Sequence, residues 1–257
     1  MSVIITLANE KGGVGKTPTA INLGAALVRQ GKKVLLVDTD PQASLTKYFL
    51  DDGYEQLETT MYHALVDLQR INPVLVHETL HFLPAKNAEV SLTKAEIELP
   101  QKDRINYNRR LKKVLGLYPE YDYILVDTPG NVSIFTVMAL IAADMVVVPV
   151  RTEKSAEQAT NEIMEVIEDV KVEDVNPGLV IWGILPTLFE GHVNSHNQVV
   201  AVLKEKYGDL IYPEPSKKTD VYNVAHLQKV DVGIRSAELG AYWDRIAESV
   251  IAKGQIL

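Results

Sequence analysis

The sequence contains no cysteine. This absence excludes disulfide bonds, thiolate nucleophiles, and iron–sulfur or zinc sites built on cysteine, and it fits a reducing compartment. Basic residues are in the minority, with 26 lysines and arginines against 34 aspartates and glutamates and a formal net charge of −8. A generally basic, nucleic-acid-binding surface is therefore excluded, and any DNA contact would have to come from a local patch.

Long apolar runs, targeting signals and linkers are also missing. The longest apolar stretch, Val137 to Val150, is interrupted by Asp144 and is shorter than the ~18 residues that a membrane-spanning helix needs. The apolar first residues have no basic leader. No linker rich in proline, glycine or serine divides the 257 residues, and no repeat is visible. We therefore expect one domain, residues 1–257, in a soluble cytoplasmic protein.

Short apolar runs alternate with helical patterns along the chain. Apolar runs at Val3–Ala8 and Lys33–Val37 flank helical spacing in Thr19–Gln30, which indicates a βαβ unit with a right-handed crossover. Further strands are predicted at Leu80–Leu83, Tyr123–Val126, Met145–Pro149 and Leu179–Leu185. Further helices are predicted at Thr60–Gln69, Asn108–Leu117, Ser133–Ala143, Ser155–Val170, Ser195–Tyr207 and Ala237–Ala252. The alternation predicts an α/β fold with a doubly wound, mostly parallel sheet flanked by helices.

A glycine-rich segment lies between the first predicted strand and helix, which is the position of a phosphate-binding loop. Its glycines allow backbone N–H groups to surround phosphate oxygens, and the following helix N-terminus adds partial positive charge. Lys16 would reach the β- and γ-phosphates, and the Thr17 hydroxyl would bind Mg²⁺. Pro18 is tolerated in the first helical turn. The predicted nucleotide-binding residues are Lys11, Gly12, Gly13, Val14, Gly15, Lys16, Thr17 and Pro18.

Carboxylates follow two other predicted strands. Asp38 and Asp40 end the second strand, and Asp127 ends the strand that begins at Tyr123. The carboxyl ends of strands line the ligand crevice of an α/β sheet, so Asp38 and Asp40 can orient a water or hold Mg²⁺-bound waters. Asp127 would hold Mg²⁺ through water. The predicted metal site therefore comprises Thr17, Asp38 and Asp127, and the segment 128–131 is a candidate switch because Gly130 is free to move.

The loop departs from the usual phosphate-loop pattern, because Glu10 replaces the first glycine and an additional lysine, Lys11, follows it. The resulting Lys-Gly-Gly-Val-Gly-Lys-Thr resembles the deviant phosphate loop of the ParA/MinD ATPase family. The segment around Asp38 similarly resembles that family's Asp-x-Asp-Pro-Gln-Gly motif. The resemblance extends over most of 2–252 and is weakest at 90–109 and 189–196. Pro18 differs from the family's usual threonine.

The resemblance implies a P-loop ATPase that uses ATP and Mg²⁺ and forms a nucleotide-sandwich homodimer. Lys11 would reach the partner's ATP, Lys16 would bind phosphate, Asp38 would activate the attacking water, and Asp40 would support the site and the switch. These four residues are the predicted catalytic set. The family further implies non-specific binding to nucleoid DNA, and a ParB-like or adaptor protein that stimulates hydrolysis while a cargo is partitioned or positioned.

Basic residues in the last quarter of the chain are candidates for the DNA contact that the resemblance implies. Each such contact would add affinity for phosphate and sensitivity to salt. The candidates are Lys204, Lys206, Lys217, Lys218, Lys229 and Arg235. A charged, solvated surface would explain isolated lysines equally well. The pairs Arg109-Arg110 and Lys112-Lys113 form a second basic cluster on a predicted helix.

Three alternatives remain open. The cargo could be a carboxysome or another protein assembly instead of a plasmid or chromosome. A MinD-like membrane switch would need a basic amphipathic helix after the core, whereas here Gly254 is expected to end the last helix close to the end of the chain, so no membrane partner is expected. An ATP-dependent small-molecule synthase would share the phosphate loop, but it would not need Lys11.

Overall fold

The computed structural model describes residues 2–86, 91–222, 225 and 231–256. Its sheet has seven strands: β1 (Val3–Leu7), β2 (Val34–Asp38), β3 (Val74–His77), β4 (Leu80–Leu83), β5 (Tyr123–Asp127), β6 (Met145–Arg151) and β7 (Val180–Thr187). Their order across the sheet is β3-β4-β2-β5-β1-β6-β7. All neighbouring pairs are parallel except β3 with β4, so the predicted doubly wound, mostly parallel α/β fold is confirmed.

The helices cover both faces of the sheet. They are α1 (Lys16–Arg29), α2 (Ser44–Leu50), α3 (Met61–Asp67), α4 (Leu92–Lys102), α5 (Arg110–Leu115), α6 (Ile134–Ala142), α7 (Ala156–Val170), α8 (Asn194–Tyr207) and α9 (Ala237–Gly254). Helices α1 to α7 lie between strands, and α8 and α9 follow β7. Among the described residues, none of these helices is long and apolar enough to cross a bilayer.

Alternate residues of each central strand face opposite cores. Leu36 and Leu125 pack with α1 and α9, whereas Leu35 and Ile124 pack with α3, α4, α5 and α6. Because both faces are buried, the central strands are continuously apolar instead of alternating with polar residues. This burial holds the carboxyl ends of β1, β2 and β5 side by side, and the register aligns Asp127 with Leu7 and Asp38.

Several predicted boundaries are corrected by the structure. Helix α1 begins at Lys16 instead of Thr19, and Pro18 fits within its first turn, where a missing N–H costs no intrahelical bond. Helix α9 ends at Gly254, as expected, which is two residues beyond the predicted bound at Ala252. There the chain packs near Val3 and Tyr123, so tertiary contacts offset the low helix propensity of glycine.

Three elements were absent from the sequence prediction. The edge strand β3 and the helix α2 are four and seven residues long, and the sequence analysis assigned no element to either segment. Helix α4 lies in the segment of weakest resemblance and contains Pro100 near its end. The carboxyl ends of β1, β2 and β5, which form the site, were each predicted within one residue.

Candidate functional site

The phosphate loop connects the end of β1 to the beginning of α1. Gly13 and Gly15 have φ angles of 72° and 94°, in the left-handed region that glycine adopts without strain. Gly15 immediately precedes α1, whose first N–H groups have no intrahelical acceptors. The Thr187 hydroxyl donates a 2.7 Å hydrogen bond to the Val14 carbonyl, which fixes the middle of the loop to the end of β7.

The Lys16 side chain is almost completely buried within this loop. Its Nζ donates hydrogen bonds of 3.0 and 2.9 Å to the carbonyl oxygens of Asn9 and Lys11. Burial lowers the pKa of Lys16, while the nearby carboxylates of Asp127 and Asp40 act in the opposite direction. The ammonium group of Lys16 is therefore held inside the phosphate loop by two of the loop's backbone carbonyl groups.

Asn9 was not singled out by sequence analysis, although it is fully buried and shapes the same loop. Its Oδ1 accepts a 2.9 Å hydrogen bond from the Lys11 N–H, and its Nδ2 donates a 2.8 Å bond to the Pro149 carbonyl on β6. A polar residue directly after an apolar strand was the only available signal. Asn9 thus connects the start of the loop to the neighbouring strand.

Thr17 and Asp127, two of the three predicted metal-site residues, are in direct contact. The Thr17 hydroxyl lies 2.6 Å from Asp127 Oδ2, while the buried Asp127 Oδ1 has no hydrogen-bond partner among the described residues. Burial, reinforced by repulsion from Asp38, raises the pKa of Asp127 to about 8. A hydroxyl and an under-coordinated buried carboxylate are oxygen ligands that suit Mg²⁺.

Asp38 is fully buried at the end of β2. Its Oδ2 accepts hydrogen bonds of 2.8 and 2.7 Å from the Thr46 N–H and hydroxyl, and its Oδ1 accepts a 3.1 Å bond from the Asp40 N–H. Burial is the main reason that the pKa of Asp38 is raised to about 7, although the Thr46 bonds favour the carboxylate. The structure thus places Asp38 beside Asp127.

Asp40 is only partly buried. Its Oδ1 accepts a 2.9 Å hydrogen bond from the Gln42 N–H, an arrangement that stabilises the turn before α2. Burial raises the pKa of Asp40, opposed by this bond and by the charge of Lys16. Three carboxylates therefore converge beside the phosphate loop, and their mutual repulsion favours a bound cation.

Lys11, the additional lysine of the loop, remains accessible. Its side chain is 37% exposed, and its Nζ lies 3.8 Å from Glu153 Oε1, whose other carboxylate oxygen pairs with Arg151 at 3.2 Å. An exposed ion pair at this distance contributes little stability, so Lys11 is free to exchange Glu153 for another anion. Burial and a hydrogen bond with Glu162 raise the pKa of the adjacent Glu10 to about 7.

Gly130, in the candidate switch, lies against Gly12 of the phosphate loop. A Cβ atom on Gly130 would lie 2.8 Å from the Gly12 Cα and 3.0 Å from its nitrogen, which is closer than real side chains come. Only glycine therefore fits at this contact in the observed backbone conformation. A movement of the segment 128–131 would consequently change this contact and displace the loop at Gly12.

Comparison with known proteins agrees with this geometry. A family model described as "AAA domain" (AAA_31) matches residues 2–181. The sporulation initiation inhibitor protein Soj of Bacillus subtilis is 37% identical over 215 residues, covering 82% of this chain and 83% of Soj. The chromosome partitioning protein ParA of Caulobacter vibrioides is 37% identical over 211 residues, covering 81% and 78%.

This chain belongs to the ParA/Soj family of P-loop ATPases. The family resemblance predicted from the phosphate loop and the Asp38 motif is thereby confirmed. A solved structure of cobyrinic acid a,c-diamide synthase from Mycobacterium smegmatis, with bound ADP and magnesium, is also similar. Its TM-score is 0.84 at 28% identity, with 99% of this chain and 96% of that chain covered.

A cavity of about 440 Å³ adjoins the phosphate loop of this ParA/Soj-family ATPase. It lies beside Gly15 and Pro18, and its far side is formed by the segment after β7 and by residues 216–220. Leu188, in that wall, has a φ of 53°, an uncommon conformation for a non-glycine residue that often marks functional sites. Sequence analysis did not predict this cavity, because its walls are far apart in the chain.

Three of the candidate DNA-binding residues of this ParA/Soj-family ATPase form ion pairs with glutamates. Lys206, Lys217 and Lys218 form ion pairs of 3.0, 2.9 and 3.0 Å with glutamates on α7, α9 and the segment after β7. Among the described residues, the exposed Lys204 and Arg235 form no ion pair, and Lys229 lies outside the described residues. The DNA-binding role of all six stays a prediction.

The second basic cluster has a partly structural explanation. Arg110 is buried, and its guanidinium donates hydrogen bonds of 2.7 and 3.1 Å to the carbonyl oxygens of Leu65 and Val66. These carbonyls belong to the last turn of α3, whose acceptors have no intrahelical donors. Arg110 therefore stabilises the end of a helix, while Lys112 and Lys113 remain exposed.

Proposed function

We propose that this ParA/Soj-family ATPase binds MgATP, forms a nucleotide-sandwich homodimer, and binds nucleoid DNA without sequence preference. Hydrolysis, stimulated by a ParB-like or adaptor protein, would release it while a plasmid, chromosome or large protein assembly is partitioned. The observation that carries this proposal is the pair of lysines in one phosphate loop. Lys16 is buried in the loop, whereas Lys11 is accessible to a second subunit.

The side chains have distinct roles in the proposed hydrolysis. Lys16 would exchange its two carbonyl acceptors for oxygens of the β- and γ-phosphates. Thr17 and Asp127 would hold Mg²⁺, which would supply positive charge against the negative charge that develops during transfer. Asp38 would orient the water that attacks the γ-phosphate, so catalysis would depend mainly on positioning and electrostatics. Asp40 would keep the turn after β2 in place.

The cavity of about 440 Å³ beside Gly15 and Pro18 is the space we assign to the nucleoside. The cavity adjoins Gly15 and Pro18 at the first turn of α1. The contact between Thr17 and Asp127 lies at the same turn. A nucleotide with its phosphates on the loop therefore has room for its sugar and base on the Thr187 side. The volume lies within the usual range for small-molecule sites.

Lys11→Ala tests the sandwich dimer. Because Lys11 would neutralise phosphate charge only across the dimer, its loss should weaken ATP-dependent dimerisation by roughly tenfold or more. Binding of nucleotide to the monomer should change much less. Analytical ultracentrifugation with a non-hydrolysable ATP analogue measures the dimer, and titration at low protein concentration measures monomer binding.

Arg151→Ala is the matched control for Lys11→Ala, because both variants remove a cation that pairs with Glu153. If both variants weakened dimerisation equally, the weakening would result from the unpaired Glu153 and not from a lost contact with the partner's phosphates. A wild-type protein that stays monomeric with the ATP analogue would contradict the sandwich model. That result would instead favour a small-molecule synthase, the activity named for the Mycobacterium smegmatis protein.

DNA binding should require ATP and fall steeply with salt. A monomer of net charge −8 should bind poorly, whereas a dimer presents its basic residues twice. If the dimer neutralises about four phosphates, the slope of log affinity against log salt concentration would be near −3.6 for B-DNA. Fluorescence anisotropy with duplexes of unrelated sequence, with and without the ATP analogue, measures this slope.

Matched double variants would locate the DNA-binding surface. Replacing Lys217 and Lys218 by glutamine should flatten the salt slope, since exposed ion pairs are readily exchanged. Because both residues also line the cavity assigned to the nucleoside, DNA binding is measured at a saturating concentration of the ATP analogue. The same substitutions at Lys112 and Lys113 change the net charge equally on helix α5 and should leave the slope intact. Binding that does not depend on ATP, or an equal effect of both double variants, would contradict the proposed surface.

A further inference from the structure

Thr46 contacts Asp38 through two different groups. Its backbone N–H and its hydroxyl both donate to Asp38 Oδ2, at 2.8 and 2.7 Å. Both residues are fully buried, so water does not compete for these bonds. The second carboxylate oxygen, Oδ1, receives from the described residues only a longer 3.1 Å bond, donated by the Asp40 N–H. Oδ2 of Asp38 thus accepts two hydrogen bonds from Thr46, and Oδ1 keeps more capacity to accept further hydrogen bonds.

The direction of the hydroxyl bond is determined by a third partner. Thr46 Oγ1 accepts a 2.9 Å hydrogen bond from the Ala85 N–H. A hydroxyl has a single proton, and the amide at Ala85 can only donate, so the Thr46 proton points to Asp38. The chain of bonds therefore runs from Ala85 through Thr46 to the carboxylate, and each bond polarises the next.

This chain also joins three elements of the fold. Asp38 ends β2, Thr46 lies in the first turn of α2, and Ala85 follows β4. β2 and β4 are adjacent, with Val37 aligned to Leu83, so the hydroxyl spans the gap between two fixed strand ends. Asp38 can rotate only if the bonds to Thr46 break.

We propose that Thr46 is a positioning residue, which holds one oxygen of Asp38 so that the other faces the attacking water. This inference rests on the proposed role of Asp38 in hydrolysis. Thr46 itself would touch neither nucleotide nor water. Its contribution should therefore appear in the turnover rate and not in nucleotide affinity.

The decisive substitution is Thr46→Val, which keeps the shape and removes the hydroxyl. We expect kcat to fall about tenfold, the effect of losing one hydrogen bond to a charged group. KM and the affinity for the ATP analogue should stay within about twofold of wild type, since only transition-state positioning is lost. Thr46→Ser keeps the hydroxyl and should restore most of kcat.

A double-mutant cycle separates positioning from a structural role. In an Asp38→Asn background, Thr46→Val should cause no further loss of kcat, because the two residues act as one unit. Thr160→Val is the stability control, as Thr160 is equally buried and its hydroxyl donates a 2.7 Å bond to the Ala156 carbonyl on α7. This control should lower the melting temperature without lowering kcat.

The outcomes distinguish this inference from the proposed function. Full activity of Thr46→Val, or additive losses in the double variant, would overturn positioning by Thr46. An equal loss of kcat in Thr46→Ser and Thr46→Val would also overturn it, because the hydroxyl would then be irrelevant. If Asp38→Asn alone hydrolysed ATP at the wild-type rate, the role of Asp38 itself would fail, and the positioning role with it.

Discussion

Replacing Lys16 by alanine is expected to reduce the affinity for MgATP by about 100-fold or more. The substitution removes the cation that faces the β- and γ-phosphates, and removing one partner of a buried charge pair costs about 2–5 kcal/mol. In the structure the same ammonium donates hydrogen bonds to the carbonyl oxygens of Asn9 and Lys11. Isothermal titration calorimetry against wild type measures the change.

Two further variants identify the cause of this loss. Lys16→Met fills most of the same volume without a charge, so it should bind as poorly as Lys16→Ala if charge is responsible. Lys113→Ala removes an exposed lysine on α5 and should bind normally. Circular dichroism melting shows whether the loop variants remain folded at the titration temperature. Wild-type affinity in Lys16→Met would show that this loop does not bind phosphate through Lys16.

The phosphate loop and its strand neighbours could be predicted because local patterns determine them. The apolar runs that form β1, β2 and β5 end at polar residues, and parallel strands bring those ends to one edge of the sheet. The contact between Thr17 and Asp127 therefore follows from the topology, although the two residues are separated by 110 positions. The sequence alone was sufficient to place this pair.

The supporting contacts could not be predicted, because they depend on side-chain packing between distant segments. Nothing near Thr46 in the sequence indicates that its hydroxyl connects Asp38 to Ala85. Thr187 similarly bonds to Val14 across 173 positions. Both are single buried hydroxyls without a motif, and only the assembled fold gives them partners.

The basic residues of the last quarter illustrate a different difficulty. The sequence shows the lysines of this segment but not their ion-pair partners. The glutamates that pair with Lys206, Lys217 and Lys218 lie 21 to 49 positions away. Counting charges in one segment therefore overestimates the local positive potential. The net charge of −8 is distributed so that several candidate lysines already have an acidic neighbour.

Replacing Asp38 by alanine is expected to separate ATP binding from hydrolysis. The phosphates would still meet Lys16 and the loop N–H groups, so affinity should change little. The attacking water would lose the carboxylate that orients it, and positioned acid–base groups contribute about 100-fold or more to a rate. Phosphate release should fall accordingly, and the protein should accumulate as an ATP-bound dimer in size-exclusion chromatography.

Asp38→Asn is the sharper form of the same experiment, because the alanine leaves the donors of Thr46 without an acceptor in a fully buried site. Unpaired buried donors destabilise a protein by about 1–3 kcal/mol, which could itself lower activity. Asparagine keeps an oxygen for Thr46 and removes the charge; its NH2 group takes the place of Oδ1 and gives up only the longer 3.1 Å bond from the Asp40 N–H. If Asp38→Asn binds ATP, dimerises and still fails to hydrolyse, the carboxylate is required for the chemical step. Wild-type turnover in this variant would instead transfer the role to Asp40, whose partly exposed carboxylate is the other candidate after β2.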